Sequence, residues 1–310
     1  MDVTLTIAVP TFNRPDTLCA LLRKAQADGV FELAAVSVYD DGSDSATRTA
    51  LEEHHLLQTV TYKRNASNLG YARNFVRIIS EAESTFVMLT TDDDVLDRRG
   101  IELTIEELNR DRADALVTTF HTHEGAPYRW RSSPGRVLPS ELHQAFSHAP
   151  GLVYRTEMAR RYLPILVERL SRGCAATTYY PQVVLGTVLA ARHEVLWTSA
   201  APVREGARLP TGLRDSQGRA YDASVSRFAQ VMAFDEVFSS LLLSATTKDE
   251  IGFMSAVVRR HREAALGRIL GAVRREAPQM ASALDRSAAT FAIRHPLRSL
   301  RALVATRAGR

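Results

Sequence analysis

The chain reads TFVMLTTDDD over residues 85–94, an apolar run that ends in three consecutive aspartates. The stretch Thr85–Thr90 is short and rich in β-branched and aromatic residues, which predicts a buried β-strand. Three adjacent carboxylates at the end of such a strand repel one another unless a cation lies beside them. Their hard oxygens suit Mg²⁺ or Mn²⁺, and either ion can bridge the oxygens of a diphosphate. The stretch therefore predicts a metal site at the end of a strand.

Similar strands and intervening helices surround this stretch throughout the first 120 residues. The predicted strands are Leu5–Phe12, Ala35–Tyr39, Thr59–Lys63, Thr85–Thr90 and Ala115–Phe120. Helical patterns lie between them, near residues 16–27, 45–56, 70–82 and 97–110. This alternation predicts an α/β fold with a mostly parallel, Rossmann-like sheet and helices on both faces. Ligands of such sheets bind beyond the carboxyl ends of the strands.

A polar cluster follows the carboxyl end of each of the first four predicted strands. The clusters are Pro10-Thr11-Phe12-Asn13-Arg14, Asp40–Asp44, Asn68–Asn74 and Thr90–Asp94. Each one alone is an ordinary turn or helix cap. Together they would line a single crevice, because all four strand ends lie on one edge of the sheet.

The second half of the chain is less regular. A polar loop with several prolines covers residues 121–139, and helices are predicted near 140–147, 156–171 and 176–191. A strand-like segment, Glu194–Ser199, and a Gly- and Pro-rich loop, Ala201–Gly218, follow. From Ser224 the pattern is helical almost to the end of the chain. We therefore divide the sequence into residues 1–120, residues 121–223 and a basic helical extension (224–310).

The net charge of +4 conceals an asymmetry between the body and the tail. Residues 251–310 contain 12 arginines and three acids, a balance of +9, which leaves −5 for residues 1–250. A basic tail favours an anionic partner, and anionic membrane is preferred over nucleic acid because only Phe253 and Phe291 could stack on bases there. Leu297, Leu300 and Val304 share one helical face, which would lie on a membrane or pack on the body or a second subunit of a homodimer.

The composition indicates a cytoplasmic protein, peripheral on the membrane at most. No run of about 18 apolar residues predicts a spanning helix. The N-terminus reads as a first strand and has no basic segment ahead of an apolar one. Cys19 and Cys174 provide neither a disulfide framework nor the spacing of a zinc site.

Taken in order, the four clusters resemble the motifs of the family 2 glycosyltransferases of GT-A fold. The matching elements are Pro-x-Phe-Asn, Asp-Asp-Gly-Ser, a shortened Asn-x-Gly-x-Ala-Arg-Asn and Asp-x-Asp, and they cover about residues 3–120. Residues 148–155 and the Tyr180-Pro181-Gln182 segment are similar to the acceptor half of abequosyltransferase-type O-antigen enzymes. The resemblance implies transfer of a hexose-like sugar from a nucleotide diphosphate to a glycan or lipid-linked saccharide. It also implies that residues 1–120 are the nucleotide-sugar-binding half and residues 121–223 the acceptor-binding half.

On the nucleoside side of the crevice, the resemblance implies that Phe12 stacks on the nucleobase. It also implies that Asp41 accepts a hydrogen bond from the base and that Asp40 supports the turn. The remaining donor-binding residues are those of the same clusters: Pro10, Thr11, Asn13, Arg14, Asn68 and Asp93.

On the phosphate side, the resemblance implies that Gly70 lets the backbone approach the donor closely. Arg73 would reach the donor phosphates or the three aspartates. Asp92 and Asp94 occupy the two ends of the Asp-x-Asp motif. We expect Asp94 to be the direct metal ligand and Asp92 to contact the metal, the ribose or the donor sugar.

The chain departs from the family pattern at the general base. Many inverting members carry an Asp where this chain reads Thr177-Thr178-Tyr179-Tyr180. Glu205 and Asp215 lie in the Gly- and Pro-rich loop, and we expect one of them to swing in like a lid when donor binds. The alternative is that the metal-bound diphosphate or a donor oxygen assists the acceptor, with no protein base.

Two other functions compete with glycosyl transfer. A sugar-nucleotide pyrophosphorylase has a similar architecture, but it requires a Gly-rich, basic loop after the first strand, where this chain has Pro10–Arg14. A non-catalytic nucleotide-sugar- or carbohydrate-binding module would explain the missing base, but the three aspartates argue against it.

Overall fold

The computed structural model describes residues 4–110, 113–206 and 224–276, with backbone only for 224–228 and 266–276. An eight-stranded sheet has the strand order β3-β2-β1-β4-β10-β6-β11-β9. Its strands are β1 (Leu5–Thr11), β2 (Ala35–Asp40), β3 (Thr61–Arg64), β4 (Phe86–Leu89), β6 (Ala115–Val117), β9 (Gly135–Arg136), β10 (Leu152–Arg155) and β11 (Val195–Trp197). The helices around it are α1 (Pro15–Ala27), α2 (Ser45–Glu53), α3 (Tyr71–Glu81), α4 (Arg98–Arg110), α5 (Leu142–Phe146), α6 (Thr156–Ser171), α7 (Ala175–Tyr179) and α8 (Pro181–Arg192).

The first four strands are parallel to one another, as the alternating pattern predicts. Strand β1 pairs with β2 on one side and with β4 on the other, so the carboxyl ends of these strands meet at one edge. Strand β10 is antiparallel to both of its neighbours, β4 and β6. Strand β9, at the edge, is antiparallel to β11. The mostly parallel sheet is therefore confirmed, with two reversed strands, β10 inside the sheet and β9 at its edge.

The helical stripes seen in the sequence are the buried faces of α1 and α3. Leu18 and Leu22 of α1 join Ile7, Val36 and Val38 in an apolar core on one side of the sheet. On α3, Phe75, Ile78 and Ile79 are buried as well. Burial of these side chains, at roughly 1.5–3 kcal/mol each, fixes the helices on the sheet.

Two stretches that the sequence predicts as loops contain strands of a second, smaller sheet. Its order is β5-β12-β7-β8, formed by β5 (Val95–Leu96), β12 (Val203–Arg204), β7 (Phe120–His121) and β8 (Pro127–Arg129). Each strand has only two or three residues, so alternation of polar and apolar residues is too brief to reveal it. The loop assignments for 121–139 and for the start of 201–218 are therefore wrong.

The helix predicted near 176–191 is two helices. Tyr180 separates α7 from α8, and Pro181 is the first residue of α8. A proline disfavours helical geometry at the preceding residue and is well tolerated at the first helical position. The interruption is thus a consequence of the Tyr180-Pro181 sequence.

The chain divides into two units, residues 1–210 with 245–253, and residues 211–244 with 254–310. The second unit contains α9 (Ser224–Ser244) and most of α10 (Lys248–Glu276). There, Arg262 forms a bidentate ion pair with Asp235, and His261 Nε2 lies 3.0 Å from the Val231 carbonyl. None of the described helices is both long and apolar enough to cross a membrane. Leu297, Leu300, Val304 and the basic tail lie outside the described residues.

Candidate functional site

Asp92 lies beyond the carboxyl end of β4, where side chains from the neighbouring strand end reach it. Thr11 Oγ1 donates a hydrogen bond of 2.7 Å to Asp92 Oδ2. Arg14 Nη1 lies 3.1 Å from Asp92 Oδ1 and 3.2 Å from Asp93 Oδ2, so one guanidinium partly neutralises two of the three carboxylates. The first and fourth polar clusters therefore do come together.

Asp94 is the most perturbed carboxyl of the cluster. Its residue is 7% exposed, and burial together with the charge of Asp93 raises the pKa of Asp94 to about 7. The Thr91 amide and hydroxyl donate to Oδ2 at 3.0 and 2.5 Å. Its other oxygen, Oδ1, accepts no hydrogen bond from any described residue.

These carboxylates fit a divalent cation of the kind that also binds a diphosphate. A cation beside Asp94 would favour the ionised form that burial disfavours. Within residues 4–110, 113–206 and 224–276, no three His, Cys, Asp or Glu side chains converge on one metal position. Mg²⁺ sites in nucleotide enzymes commonly use one or two carboxylates and take their other ligands from water and phosphate. Asp94 is available for this role, whereas Asp92 is already paired with Arg14.

Two hydrogen bonds join the Pro10–Arg14 loop to the Asp40–Asp44 turn. The Asn13 amide donates to Ser43 Oγ at 2.8 Å, and the Asp44 amide donates to Asn13 Oδ1 at 2.9 Å. Asn13 adopts a φ of 52°, a left-handed conformation that Asn tolerates better than most residues. In this arrangement Phe12 is 42% exposed, so its ring is accessible to a ligand.

Asp40 and Asp41 both accept hydrogen bonds that fix the backbone around the crevice. Asp40 Oδ1 accepts from the Ser43 amide at 2.7 Å, which stabilises the turn. Asp41 accepts from Asn65 Nδ2 and from the amides of Leu69 and Gly70, at 2.8, 2.9 and 2.8 Å. Asp41 thus holds the third polar cluster in place, and its contact with a nucleobase stays a prediction.

Gly70 begins α3 in a conformation that favours glycine. Its φ is 81°, and apart from its chain neighbours no atom of the described residues lies within 4 Å of the position that a Cβ would occupy. Asn68 Oδ1 accepts a hydrogen bond from the Gly70 amide at 2.8 Å. The space beside the Gly70 backbone is therefore open, and its contact with the donor stays a prediction.

The position of the Arg73 side chain does not match one of its two predicted roles, the contact with the three aspartates. Its side chain is exposed on α3 and forms no ion pair with Asp92, Asp93 or Asp94 in the described structure. Arg14 occupies that position instead, because the first strand end is adjacent to β4 in the sheet and the third is not. Only the contact between Arg73 and donor phosphates remains as a prediction.

Glu205 lies beside the acidic cluster without any lid movement. Strand β12 pairs antiparallel with β5, with Arg204 opposite Val95, and continuing this register places Glu205 opposite Asp94. The Gly206 backbone packs so closely on the Asp93 carbonyl that an added Cβ would lie 1.8 Å from the oxygen. Glu205 Oε2 accepts from the His123 amide at 3.0 Å. The movement expected of Glu205 when donor binds stays a prediction, and Asp215 lies outside the described residues.

His148, which begins the 148–155 segment of the resemblance, and Arg129 were not singled out as site residues in the sequence. The centroid of the His148 ring lies 4.5 Å from the centroid of the Phe120 ring and 5.4 Å from that of the Tyr128 ring. Burial and the charge of Arg129 lower the pKa of His148 to about 4, against the opposing charges of Glu205 and Asp93. His148 is thus a neutral imidazole close to the candidate base.

Arg129 fixes this arrangement from within the protein. Its fully buried guanidinium donates to the carbonyls of Thr118, His148 and Pro150, at 2.7, 2.6 and 2.5 Å. Burial lowers the pKa of Arg129 to about 10. No sequence motif points to it, because its partners are backbone atoms from distant parts of the chain.

Residues 6–176, more than half of the chain, match the family described as glycosyl transferase family 2. The chain belongs to this family, whose members transfer sugars. Comparison with curated proteins gave no match.

Solved structures show the same fold at low sequence identity. Staphylococcus aureus TarS 1–349 in complex with UDP-GlcNAc has a TM-score of 0.62 and 15% identity, over 92% of this chain and 89% of that one. The mannosyltransferase PcManGT from Pyrobaculum calidifontis, in complex with GDP-Man and Mn²⁺, has a TM-score of 0.55 and 15% identity, over 97% and 83%. Both likenesses establish the GT-A architecture of the sheet and helices.

Proposed function

We propose that this protein transfers one hexose-like sugar from a nucleotide diphosphate to a saccharide acceptor, with inversion at the anomeric carbon. The observation that carries the proposal is the buried Asp94 beside Asp92, Asp93 and Arg14 at the carboxyl end of β4. Such a set of charges suits a diphosphate and its counter-ion. TarS and PcManGT, which are similar in fold, have structures with nucleotide sugars.

The donor would lie along the crevice formed by the first four strand ends. The exposed Phe12 ring would stack on the base, and the open backbone at Gly70 would face the phosphates. Asp94 Oδ1 would hold Mn²⁺ or Mg²⁺, with Asp92 close by and still paired with Arg14. The bound cation would neutralise the negative charge that develops on the departing nucleotide diphosphate.

The acceptor would approach from the side of the smaller sheet. Its hydroxyl oxygen would bond to the anomeric carbon as the bond from that carbon to the diphosphate oxygen breaks. Glu205 is well placed to take the hydroxyl proton, because the His123 amide orients it and its backbone lies beside Asp94. Tyr128, which is 53% exposed, and the neutral His148 would contact the acceptor sugar ring.

Several finer assignments follow from the sequence and belong to the same proposal. The acceptor is a glycan or a lipid-linked saccharide, as in polysaccharide biosynthesis by the abequosyltransferase-like branch. The protein acts in the cytoplasm and is peripheral on anionic membrane through its basic tail, which could instead mediate a homodimer. Liposome co-sedimentation of the full chain and a 1–290 truncation tests the tail, and equal binding by both would exclude it.

The proposal is tested by a thermal-shift panel of UDP-, GDP-, CDP- and dTDP-sugars, with and without Mn²⁺. We expect one nucleotide class to raise the unfolding temperature, and to do so only with the metal. Mass spectrometry of that donor incubated with saccharide acceptors should then detect a product heavier by one sugar. Nucleotide binding with pyrophosphate-dependent cleavage of the donor would indicate a pyrophosphorylase, and binding with no reaction would indicate a binding module.

A further inference from the structure

A cleft of about 590 Å³ lies at the opposite edge of the sheet from the acidic cluster. It is lined by the amino-terminal end of β1, by one face of β2 and β3 as far as Tyr39 and Lys63, and by the segment from Glu81 to Ser84 that precedes β4. Strand β1 has seven residues, so its two ends are about 20 Å apart at ~3.3 Å per residue. Tyr39 is next to Asp40 in β2, but successive side chains of a strand point to opposite faces of the sheet. The cleft is therefore separate from the crevice that we assign to the donor.

The floor of the cleft is one face of three neighbouring strands, and this face carries hydroxyl groups. Ala8 lies opposite Ser37, and Ser37 lies opposite Thr61, so Thr6, Ser37, Tyr39 and Thr61 all point to the same side. The other face of the same strands carries the apolar core residues Ile7, Val36 and Val38. A fully covered parallel sheet is apolar on both faces, so this polar face is a departure.

Three of these hydroxyl-bearing residues are more than nine-tenths buried and still lack partners. Thr6, Ser37 and Tyr39 are 6%, 8% and 1% exposed, and all three line the cleft. No residue of the described chain forms a hydrogen bond with any of these three side-chain hydroxyls. A hydroxyl that reaches a cavity can exchange its hydrogen bonds with water for hydrogen bonds with a ligand. The structure thus presents a row of hydrogen-bonding groups directed at a cavity.

The charges around the cleft do not favour an anionic ligand. Among the described lining residues Lys63 is the only basic one, and Lys63 Nζ is paired with Glu81 Oε2 at 3.4 Å. The Arg77 guanidinium, which lies over the Tyr39 ring, is paired with the same carboxylate at 2.8 Å. Glu32 and Glu83 also line the cleft, so its walls carry more negative than positive charge. Phosphates and nucleotides require the opposite balance.

We propose that this cleft is a second binding site and that it takes a neutral saccharide. Hydroxyl side chains that both donate and accept match the hydroxyls of a sugar ring. Carboxylate acceptors stand at the rim, and the half-buried Phe31 offers an apolar surface for a ring face. The volume is within the range of small-molecule sites, roughly 300–1,000 Å³. The site goes beyond the sugar transfer proposed above and does not depend on it.

The test is saturation-transfer NMR on the full-length protein with methyl α-D-mannopyranoside, methyl N-acetyl-β-D-glucosaminide and maltotriose, in the absence of donor and metal. We expect at least one of these sugars to bind, with unchanged affinity in Asp94→Asn.

Ala35→Phe places a ring in the cleft from an exposed position and should abolish binding. The matched control Ala20→Phe, on the exposed face of α1, should bind like the wild type. The double variant Thr6→Val/Ser37→Ala should lose about tenfold or more in affinity.

Several results would overturn the second site. They are the absence of binding by all three sugars, equal binding by Ala35→Phe and Ala20→Phe, and displacement of the sugar by inorganic phosphate. Loss of binding in Asp94→Asn would assign the sugar to the crevice at the other edge instead. Failure of the donor panel would leave this test unaffected, so the two proposals fail separately.

Discussion

We assign donor binding to the first half of the body of the protein and acceptor binding to the second, and the two halves position their functional groups in different ways. In the first, residues 5–94, three of the four polar clusters directly follow a buried strand of the large parallel sheet, while Asn68–Asn74 follows the exposed strand β3 after a short connection. In the second, residues 115–206, the groups near the site lie on or next to two- and three-residue strands and are held by long-range contacts such as Arg129 to Thr118, His148 and Pro150. The donor side is therefore built from local sequence, whereas the acceptor side depends on how remote segments pair.

The largest expected effect concerns the acceptor half. Glu205→Gln should lower kcat by about 10²–10⁴-fold, because it removes the group that accepts the hydroxyl proton. Donor affinity should be retained, since Gln can still accept the hydrogen bond from the His123 amide. Steady-state kinetics at saturating donor, with Asp215→Asn in parallel, measure this effect. Turnover at the wild-type rate in Glu205→Gln would leave Asp215 or the substrate diphosphate as the base.

In the donor half, Asp94→Asn should lower the transfer rate by about 10²-fold or more, the usual effect of removing one preorganised electrostatic group. The unfolding temperature should not fall, because burial already disfavours the charged form of this carboxyl and Asn can accept from Thr91. Transfer assays and calorimetry on the same preparation test both expectations. A folded variant with most of its metal-dependent activity would place the site elsewhere.

Gly206→Ala probes the contact between the two halves. A Cβ at this position would lie 1.8 Å from the Asp93 carbonyl oxygen, so β12 must move away from the cluster. We expect a loss of about 1–3 kcal/mol in the free energy of unfolding, together with weaker donor binding. The control is Gly252→Ala on α10, where no other atom lies within 4 Å, and it should be neutral or slightly stabilising. Equal stability of the two variants in chemical denaturation would contradict the close packing.

The smallest effect concerns the start of α10, remote from both halves of the site. Glu250 accepts from the Thr246 and Thr247 amides and from Arg192, and these hydrogen bonds lower its pKa to about 2. An unfolded Glu titrates near pH 4.3, so the stabilisation is complete above about that pH and is lost as the pH falls towards 2. Glu250→Gln should therefore cost about 1 kcal/mol at neutral pH and nothing at pH 2.

The exposed Glu263→Gln variant is the control for this pH dependence. It pairs only with Arg259 and Arg260 on the surface of the same helix, so its effect should be near zero throughout. Chemical denaturation of both variants from pH 2 to pH 7 tests the comparison. A difference between Glu250→Gln and wild type that persisted at pH 2 would show that packing, and not charge, is responsible.

The sequence predicted features that depend on neighbouring residues, and it did not predict features that depend on contacts between distant segments. An apolar run followed by Asp92 or Asn13 is a local pattern, and it predicted the strands, the helices and the edge where the clusters meet. The choice of Arg14 over Arg73 as the partner of the aspartates depends on strand order, which the sequence does not display. Glu205 was singled out as a loop residue because nothing local reveals that β12 pairs with β5. The same limitation hid His148 and Arg129.

The central claim is that Asp94 and its neighbours bind the diphosphate of the donor through a divalent cation. The most direct test is calorimetric titration of the preferred nucleotide sugar into wild type and Asp94→Asn, each with Mn²⁺ and with EDTA. We predict that wild type binds with Mn²⁺ and binds at least tenfold more weakly with EDTA, whereas Asp94→Asn shows no gain from the metal. An equal gain from Mn²⁺ in both proteins would contradict the assignment of the acidic cluster as the donor site.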